Sequence, residues 1–230
     1  MQHFTVRAIT LDLDDTLWPI APVIARAEAV AHAWLVRHAP ATGARFDVAG
    51  LRALREAVAL DYPGLAHDMS ALRLESLRRA LAAGGDDPAL ATAAFEAFFE
   101  ARHAVQLYPE VAAALERLAA RFPLLALSNG NADIARTPLR RWFSGALSAC
   151  EFGVGKPDPR IFHEACRRLG CAPATVLHVG DDLALDVMGA RAAGLQARWL
   201  RREPCEPPGS AAHSGEVVAC LESLADALAC

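Results

Sequence analysis

No apolar stretch in this chain reaches the ~20 uninterrupted residues that a membrane-spanning helix requires, because charged residues break every one of them. A membrane partner is therefore not expected, and the chain reads as soluble. The six cysteines, at positions 150, 166, 171, 205, 220 and 230, form no C-x-x-C pair. Their wide spacing excludes a zinc ribbon or a dense disulfide framework and leaves ordinary thiols. Basic clusters are also missing: 23 Lys and Arg against 27 Asp and Glu give a net charge of −4, with the arginines scattered along helix-like segments. That distribution argues against a nucleic-acid partner. The opening Met-Gln-His-Phe-Thr-Val-Arg lacks the basic, apolar and small-residue order of a secretory leader, which points to the cytoplasm. Internal repeats and low-complexity segments are absent too.

What is present is a chain of 230 residues, enough for a core of roughly 100 to 150 residues with a smaller companion. Short apolar runs at 6–13, 124–127 and 175–179 read as buried strands, and each ends in polar loop residues: acids, Ser128-Asn-Gly and Gly180-Asp-Asp. Helical spacing follows at 110–121 behind Pro109, at 159–169 with Gly170 as its stop, and from Leu183 to Gly194. A further strand is expected at 196–200 and a last helix at 217–228, after a proline-rich connection at 201–215. Alternating strands and helices indicate an α/β protein with a doubly wound, Rossmann-like parallel sheet.

Residues 18–105 differ, having helical spacing throughout and no convincing strand. They read as an inserted all-helical module, so that 1–17 and 106–230 form the core. Val23, Ala27, Val30, Trp34 and Leu35 mark one helix before Pro40, and Leu51, Leu54 and Val58 mark another. Phe95, Phe98 and Phe99 mark a last helix after the Gly84-Gly85 break, and these aromatics are expected to pack the helices together.

In open parallel sheets the ligand crevice lies beyond the carboxyl ends of the strands, where these polar residues fall. Asp12 and Asp14, two apart on an extended segment, point to one side. Asp181 and Asp186 add further negative charge, and each like-charge contact at ~4 Å costs on the order of 4 kcal/mol at an effective dielectric of about 20. Such a cluster calls for a cation, and oxygen-only ligands shared with water and phosphate suit Mg²⁺, with Lys156 as a second positive charge. A carboxylate is a competent nucleophile at phosphorus once the phosphoryl oxygens are neutralised. Asp14 has the placement for general acid–base work, and Ser128 with the amides around Asn129-Gly130 for holding a phosphoryl group. Plainer roles compete: Asp15 and Thr16 as turn caps, Asp182 as a helix N-cap, Lys156 as a loop lysine and His178 as a hydrogen-bonded core histidine.

Taken in order, Asp12-Leu-Asp-Asp-Thr16, Ser128-Asn-Gly, Gly155-Lys-Pro-Asp-Pro159 and Gly180-Asp-Asp with Asp186 closely resemble the motif set of the haloacid dehalogenase-like hydrolase superfamily. The resemblance implies a Rossmann-like core with a helical cap inserted after the first motif. It implies Asp12 as nucleophile and metal ligand, Asp14 as acid/base and backbone-carbonyl metal ligand, and Asp181 as a further ligand. It also implies Ser128, Asn129 and Lys156 at the phosphate, with Asp186 and Asp182 behind them. Members that cleave carbon–halogen bonds usually lack the second acid, so Asp14 favours a phosphatase over a dehalogenase, ahead also of a sugar phosphomutase and of a catalytically silent phospholigand-binding module.

A closer likeness, in Leu177-His-Val-Gly-Asp-Asp-Leu183, Ser128-Asn-Gly-Asn-Ala132 and His67-Asp68 with Arg73, is to the YigB-type phosphatases, which act on FMN and a phosphorylated riboflavin precursor. Trp18 stands where that pattern has a tyrosine. The expected partner is thus a small phosphorylated metabolite, met by a monomer or homodimer. Trp18, His67, Asp68 and Arg73 are the candidates for substrate selection, the competing role of the last three being ion pairs and caps within the helical module.

Overall fold

A computed structural model of the protein describes residues 5–202 and 217–230. The first four residues, Cys205 and most of the proline-rich 201–215 connection lie outside the described residues. The chain folds as two compact units. One contains the residues up to Pro19, Gln106–Gly130 and the chain from Ile134 onward; the other contains Ile20–Val105 and Asn131–Asp133.

The first unit is built on a parallel sheet of β1 (Ala8–Leu11), β2 (Leu124–Ser128), β3 (Gly145–Ser148), β4 (Val176–Gly180), β5 (Gln196–Leu200) and β6 (Val217–Val218), in the order β3-β2-β1-β4-β5-β6. β1, β2 and β4 are buried along their whole length, as largely apolar segments covered on both faces should be. The chain moves outward from β1 to β3, then returns to place β4 against the other side of β1. That reversal is the topological switch point at which open α/β sheets hold their ligands.

Two strands differ from the sequence reading. β3 is the short segment Gly-Ala-Leu-Ser, in which Leu147 alone is buried, too weak a pattern to stand out before its pairing with β2. Val217–Val218, read as the start of the last helix, instead pairs with Trp199 and Leu200 at the sheet edge, and the helix begins at Leu221. β-branched valines gain more from that pairing than from a helix start.

The second unit comprises α1 (Ile20–His38), α2 (Pro40–Arg45), α3 (Val48–Asp61), α4 (Met69–Gly84) and α5 (Ala91–His103). Leu35, Ala39, Leu77, Leu81, Ala91 and Ala94 form one of its cores, and Phe98 packs with Ala27 and Ala31 in another. Phe95 and Phe99 stack at 5.3 Å between ring centroids. Asp68 caps α4 by accepting from the Ala71 amide at 2.8 Å, and Gly85, at φ 88°, closes it in the left-handed conformation that glycine adopts freely. Asn131–Asp133 joins this unit through Asn131 Nδ2, which donates to Ser70 Oγ at 3.2 Å, and the Asp133 amide, which donates to His103 Nε2 at 2.8 Å.

The remaining helices, α6 (Val111–Ala119), α7 (Ala149–Phe152), α8 (Pro159–Leu169), α9 (Gly189–Ala192) and α10 (Leu221–Ala227), belong to the first unit. α8 has the bounds its sequence signals indicate: Asp158 caps it, Pro159 starts it and Gly170, at φ 62°, ends it. The helix expected from Leu183 to Gly194 instead opens as a wide π-type turn, Leu183–Met188, before α9.

Within the second unit Glu28 is buried and faces Arg52 at 2.6 Å, Arg55 at 3.0 Å and Arg73 at 3.6 Å. Burial alone would raise its pKa, but the three guanidinium groups outweigh it and hold the carboxyl below the ordinary glutamate value. A carboxyl depressed on folding contributes stability above its unfolded pKa and loses it as pH falls through the folded one. Glu28→Gln is therefore expected to flatten the acid limb. Between about pH 5 and pH 3 the urea midpoint of the wild type should fall more steeply than the variant's, and parallel limbs would show that the pair carries no such linkage.

Candidate active site

The backbone brings four loops to the carboxyl end of the sheet. The Asp12 amide donates to the Val179 carbonyl at 2.9 Å, continuing the β1–β4 ladder one residue beyond the strand. Asp12 and Asp181 therefore emerge side by side. Asp15 takes φ 57°, a left-handed turn that aspartate tolerates, and its amide donates to the Trp18 carbonyl at 2.8 Å. This tight turn carries Asp14, whose Oδ1 accepts from Trp18 Nε1 at 2.9 Å.

Lys156 joins from the loop before α8. Its Nζ lies 2.6 Å from Asp12 Oδ1 and 2.6 Å from Asp186 Oδ1, and all three side chains are buried. It is the only lysine in the chain: of the 23 basic residues the other 22 are arginines. A compact ammonium fits between two carboxylates where a planar guanidinium does not. Asn129 sets the position of this lysine, its Nδ2 donating to the Lys156 carbonyl at 2.8 Å and its Oδ1 accepting from the Lys156 amide at 2.7 Å. The neighbouring Gly155 permits that grip, since a Cβ there would fall 2.6 Å from Asn129 Oδ1.

Asp186 is the most heavily bonded acid of the group. Besides Lys156, its Oδ1 accepts from His178 Nε2 at 3.1 Å, and its Oδ2 accepts from the Asp182 amide at 3.0 Å. The carboxyl packs onto Gly180, where a Cβ would lie 2.2 Å from Oδ2. His178 in turn pairs through Nδ1 with Thr10 Oγ1 at 2.8 Å. Burial pushes the His178 pKa down, which leaves a neutral ring donating to Asp186 and accepting from the threonine. Asp182 directs its side chain to the Ala184 and Leu185 amides, at 2.7 and 2.8 Å, so it is an N-cap whose backbone serves Asp186.

One ammonium does not balance these acids. Burial, with the Asp186 and Asp14 charges, pushes Asp12 up to about 7 despite Lys156. Burial likewise raises Asp181 to about 6, with Asp186 adding to the effect and the Thr16 hydrogen bond opposing it. Asp186 goes the other way: burial opposes its charge, but Lys156 and His178 overcome that and hold it below the usual carboxylate range. Carboxylate oxygens of Asp12, Asp181 and Asp186 all lie within 4.8 Å of one another. Three acids, oxygen donors alone and a charge deficit fit a hard divalent cation. Asp14 is outside this side-chain cluster.

Ser128 is buried at the end of β2, its Oγ accepting from the Gly130 amide at 2.9 Å. Asn129, expected at the phosphate, has its side-chain amide engaged at both ends by the Lys156 backbone, so it shapes the site through that lysine. Trp18, expected to contact substrate, is fully buried and is the hydrogen-bond donor that orients Asp14. Arg73 is mostly buried in the second unit, with its guanidinium 3.6 Å from the Phe98 ring centroid; burial and the nearby Arg55 push its pKa down to about 10. Arg73 and Asp68 thus hold helices of their own unit, and His67 is half-buried in the turn before α4. His178 is the hydrogen-bonded core histidine that its place in an apolar strand suggests, whereas Thr10 was missed by sequence reasoning; the available signal was a polar residue inside each of two adjacent buried strands.

A family model described as haloacid dehalogenase-like hydrolase matches residues 6–194. The chain is 35% identical over 202 residues to the 5-amino-6-(5-phospho-D-ribitylamino)uracil phosphatase YigB of Escherichia coli, covering 86% of this chain and 84% of that one. It is 37% identical to a phosphoserine phosphatase of Thermus thermophilus, over 85% of this chain and 76% of the relative. Among solved structures, one named 2-haloacid dehalogenase from Pseudomonas syringae superposes with a TM-score of 0.89 at 38% identity, covering 98% of this chain and 99% of the other.

Removing the lysine leaves two buried acids facing each other. Lys156→Met should destabilise the metal-free protein by about 3–5 kcal/mol in urea unfolding, and Lys156→Arg should recover less than half of that loss. Full recovery by arginine would mean that charge alone, and not the compact ammonium, matters at this position.

Proposed function

The chain belongs to the haloacid dehalogenase-like hydrolase family, and we propose that within it this protein is a Mg²⁺-dependent phosphomonoesterase acting on a small phosphorylated metabolite through an aspartyl-phosphate on Asp12. The observation that carries the reading is Asp14, a carboxyl beside the nucleophile with its Oδ1 held by Trp18 at 2.9 Å. An alkoxide leaving group needs a proton and a halide does not, so an oriented acid at this position suits a phosphate ester. For this reason we favour phosphate chemistry although the Pseudomonas syringae structure carries a dehalogenase name. Relatives from Escherichia coli and Thermus thermophilus that align over most of this chain are named as phosphatases. The riboflavin-precursor substrate in the name of the YigB relative makes that ester, and FMN, the first substrates to assay.

In the proposed reaction Asp12 attacks phosphorus while Lys156, already 2.6 Å from its Oδ1, stabilises negative charge on the carboxylate and on the phosphoryl oxygens. Asp12, Asp181 and the Asp14 backbone carbonyl would hold Mg²⁺, with Asp186 behind them. When bound, the ion neutralises the equatorial phosphoryl oxygens and keeps Asp12 ionised. The Ser128 hydroxyl and the amides that follow it donate to the transferring group. Asp14 gives its proton to the leaving oxygen, then takes one from the water that cleaves the acyl phosphate.

Two substitutions separate these roles. Asp12→Asn should lower Mg²⁺-dependent hydrolysis of p-nitrophenyl phosphate by about 10³-fold or more, and retention of most activity would sink the covalent route. In kcat/KM, which reports formation of the aspartyl-phosphate, Asp14→Asn should cost about 10²- to 10⁴-fold on an alkyl phosphate such as FMN but markedly less on p-nitrophenyl phosphate, whose phenolate leaves without protonation. Equal losses on both esters would contradict the acid role, and release of halide from 2-chloropropionate without phosphate release from any ester would favour dehalogenation.

A further inference from the structure

The exit of β5 lies two strands away from the nucleophile, and none of its residues carries one of the acidic motifs. Two of its side chains nevertheless end on the cation loops. Trp199 Nε1 donates to the Asp181 backbone carbonyl at 2.7 Å. Arg202 donates to the Thr16 carbonyl through Nε, at 3.0 Å, and through Nη2, at 2.5 Å. Its Nη1 donates to Glu110 Oε1 at 2.7 Å, and its guanidinium lies 3.7 Å from the Tyr108 ring centroid. Arg202 is therefore fixed by an acid and an aromatic face while it grips Thr16 with two donors. The Thr16 hydroxyl donates to Asp181 Oδ1 at 2.9 Å. The acid that follows β4 is thus held twice from the same strand exit, through its main chain by Trp199 and through its side chain by the Arg202–Thr16 relay.

We propose that Arg202 and Trp199 are positioning residues for the cation site: Arg202 acts through Thr16 to aim the Asp181 carboxylate, and Trp199 fixes its backbone. The proposal rests on the reading of Asp181 as a ligand of Mg²⁺. Carboxylate ligands owe much of their affinity to the groups that orient them, and removing such a group weakens binding by about 10- to 100-fold. The arrangement also ties the Asp12–Trp18 turn to β5, so the nucleophile and the acid at position 181 keep their spacing.

The test is Mg²⁺ affinity, measured calorimetrically without substrate on the full chain, with thermal unfolding recorded in parallel. Arg202→Met keeps an unbranched side chain of similar reach while removing the guanidinium and its donors, and Trp199→Phe removes one N–H. Each should weaken Mg²⁺ binding by about tenfold or more. Thr16→Val should do the same, and in its background Arg202→Met should add less than a twofold further effect, because the relay is already cut. Trp199→Phe should still weaken binding in that background, since its bond bypasses Thr16. Lowered thermal stability with Mg²⁺ affinity within twofold of wild type would overturn the proposal, as would full additivity of the Arg202 and Thr16 effects. Should Arg202→Met fail to fold, Arg202→Lys decides, since one ammonium does not replace both the paired grip on Thr16 and the Glu110 contact: affinity at least threefold weaker supports the relay and wild-type affinity refutes it. A wild-type protein that binds no Mg²⁺ overturns the cation reading itself and the positioning role with it, an outcome distinct from binding that the variants leave unchanged.

Discussion

The site depends on one ammonium shared between two buried carboxylates. Lys156 lies 2.6 Å from both Asp12 and Asp186, and burying those charges is tolerable only with near-ideal geometry and every remaining lone pair occupied. The surroundings come closest to that demand at Asp186. Asn129 fixes the lysine backbone from both sides, while His178 and the Asp182 amide complete Asp186. Gly155 and Gly180 are required because their Cβ atoms would collide with Asn129 and Asp186. Substituting any of these neighbours shifts the lysine or strands a charge.

The same ammonium explains the electrostatics of the site. It is closest to balance at Asp186, which also receives the histidine and an amide, and it leaves Asp12 and Asp181 with carboxyls raised to about 7 and about 6. The imbalance lies where a divalent ion and a phosphoryl group would be handled. Charge compensation is thus divided: a permanent internal cation anchors the rear of the cluster, and its front fits an exchangeable one.

The sheet order makes this possible with few residues. Because β4 returns to pair with β1, the loops after both strands open at one switch point, and β2 and the loop after β3 bring Ser128 and Lys156 to the same end. The helical unit has a separate energetic basis. Its buried Glu28 holds three arginines, and one of them, Arg73, also lies over the Phe98 ring, so Glu28 and Arg73, which look like surface chemistry in the sequence, are part of its interior.

Much of this was legible in the sequence for physical reasons. Strands buried on both faces must be largely apolar runs, helices need caps and stops such as Asp158 and Gly170, and acids placed at strand ends require a cation, so the parallel α/β core and the motif acids could be read directly. The edge strands could not, because Gly145–Ser148 and Val217–Val218 become strands only through the neighbours they pair with. Nor could the division of labour among polar side chains. Whether Asn129 meets a phosphate or a lysine backbone, whether Trp18 faces a ligand or Asp14, and whether Arg73 selects a substrate or stacks on Phe98 depends on contacts between residues distant in the chain. Local pattern determined which residues had to be inside and which acids had to converge; tertiary structure alone decided which hydrogen bond each of them makes, because those partners are brought together only when the sheet closes.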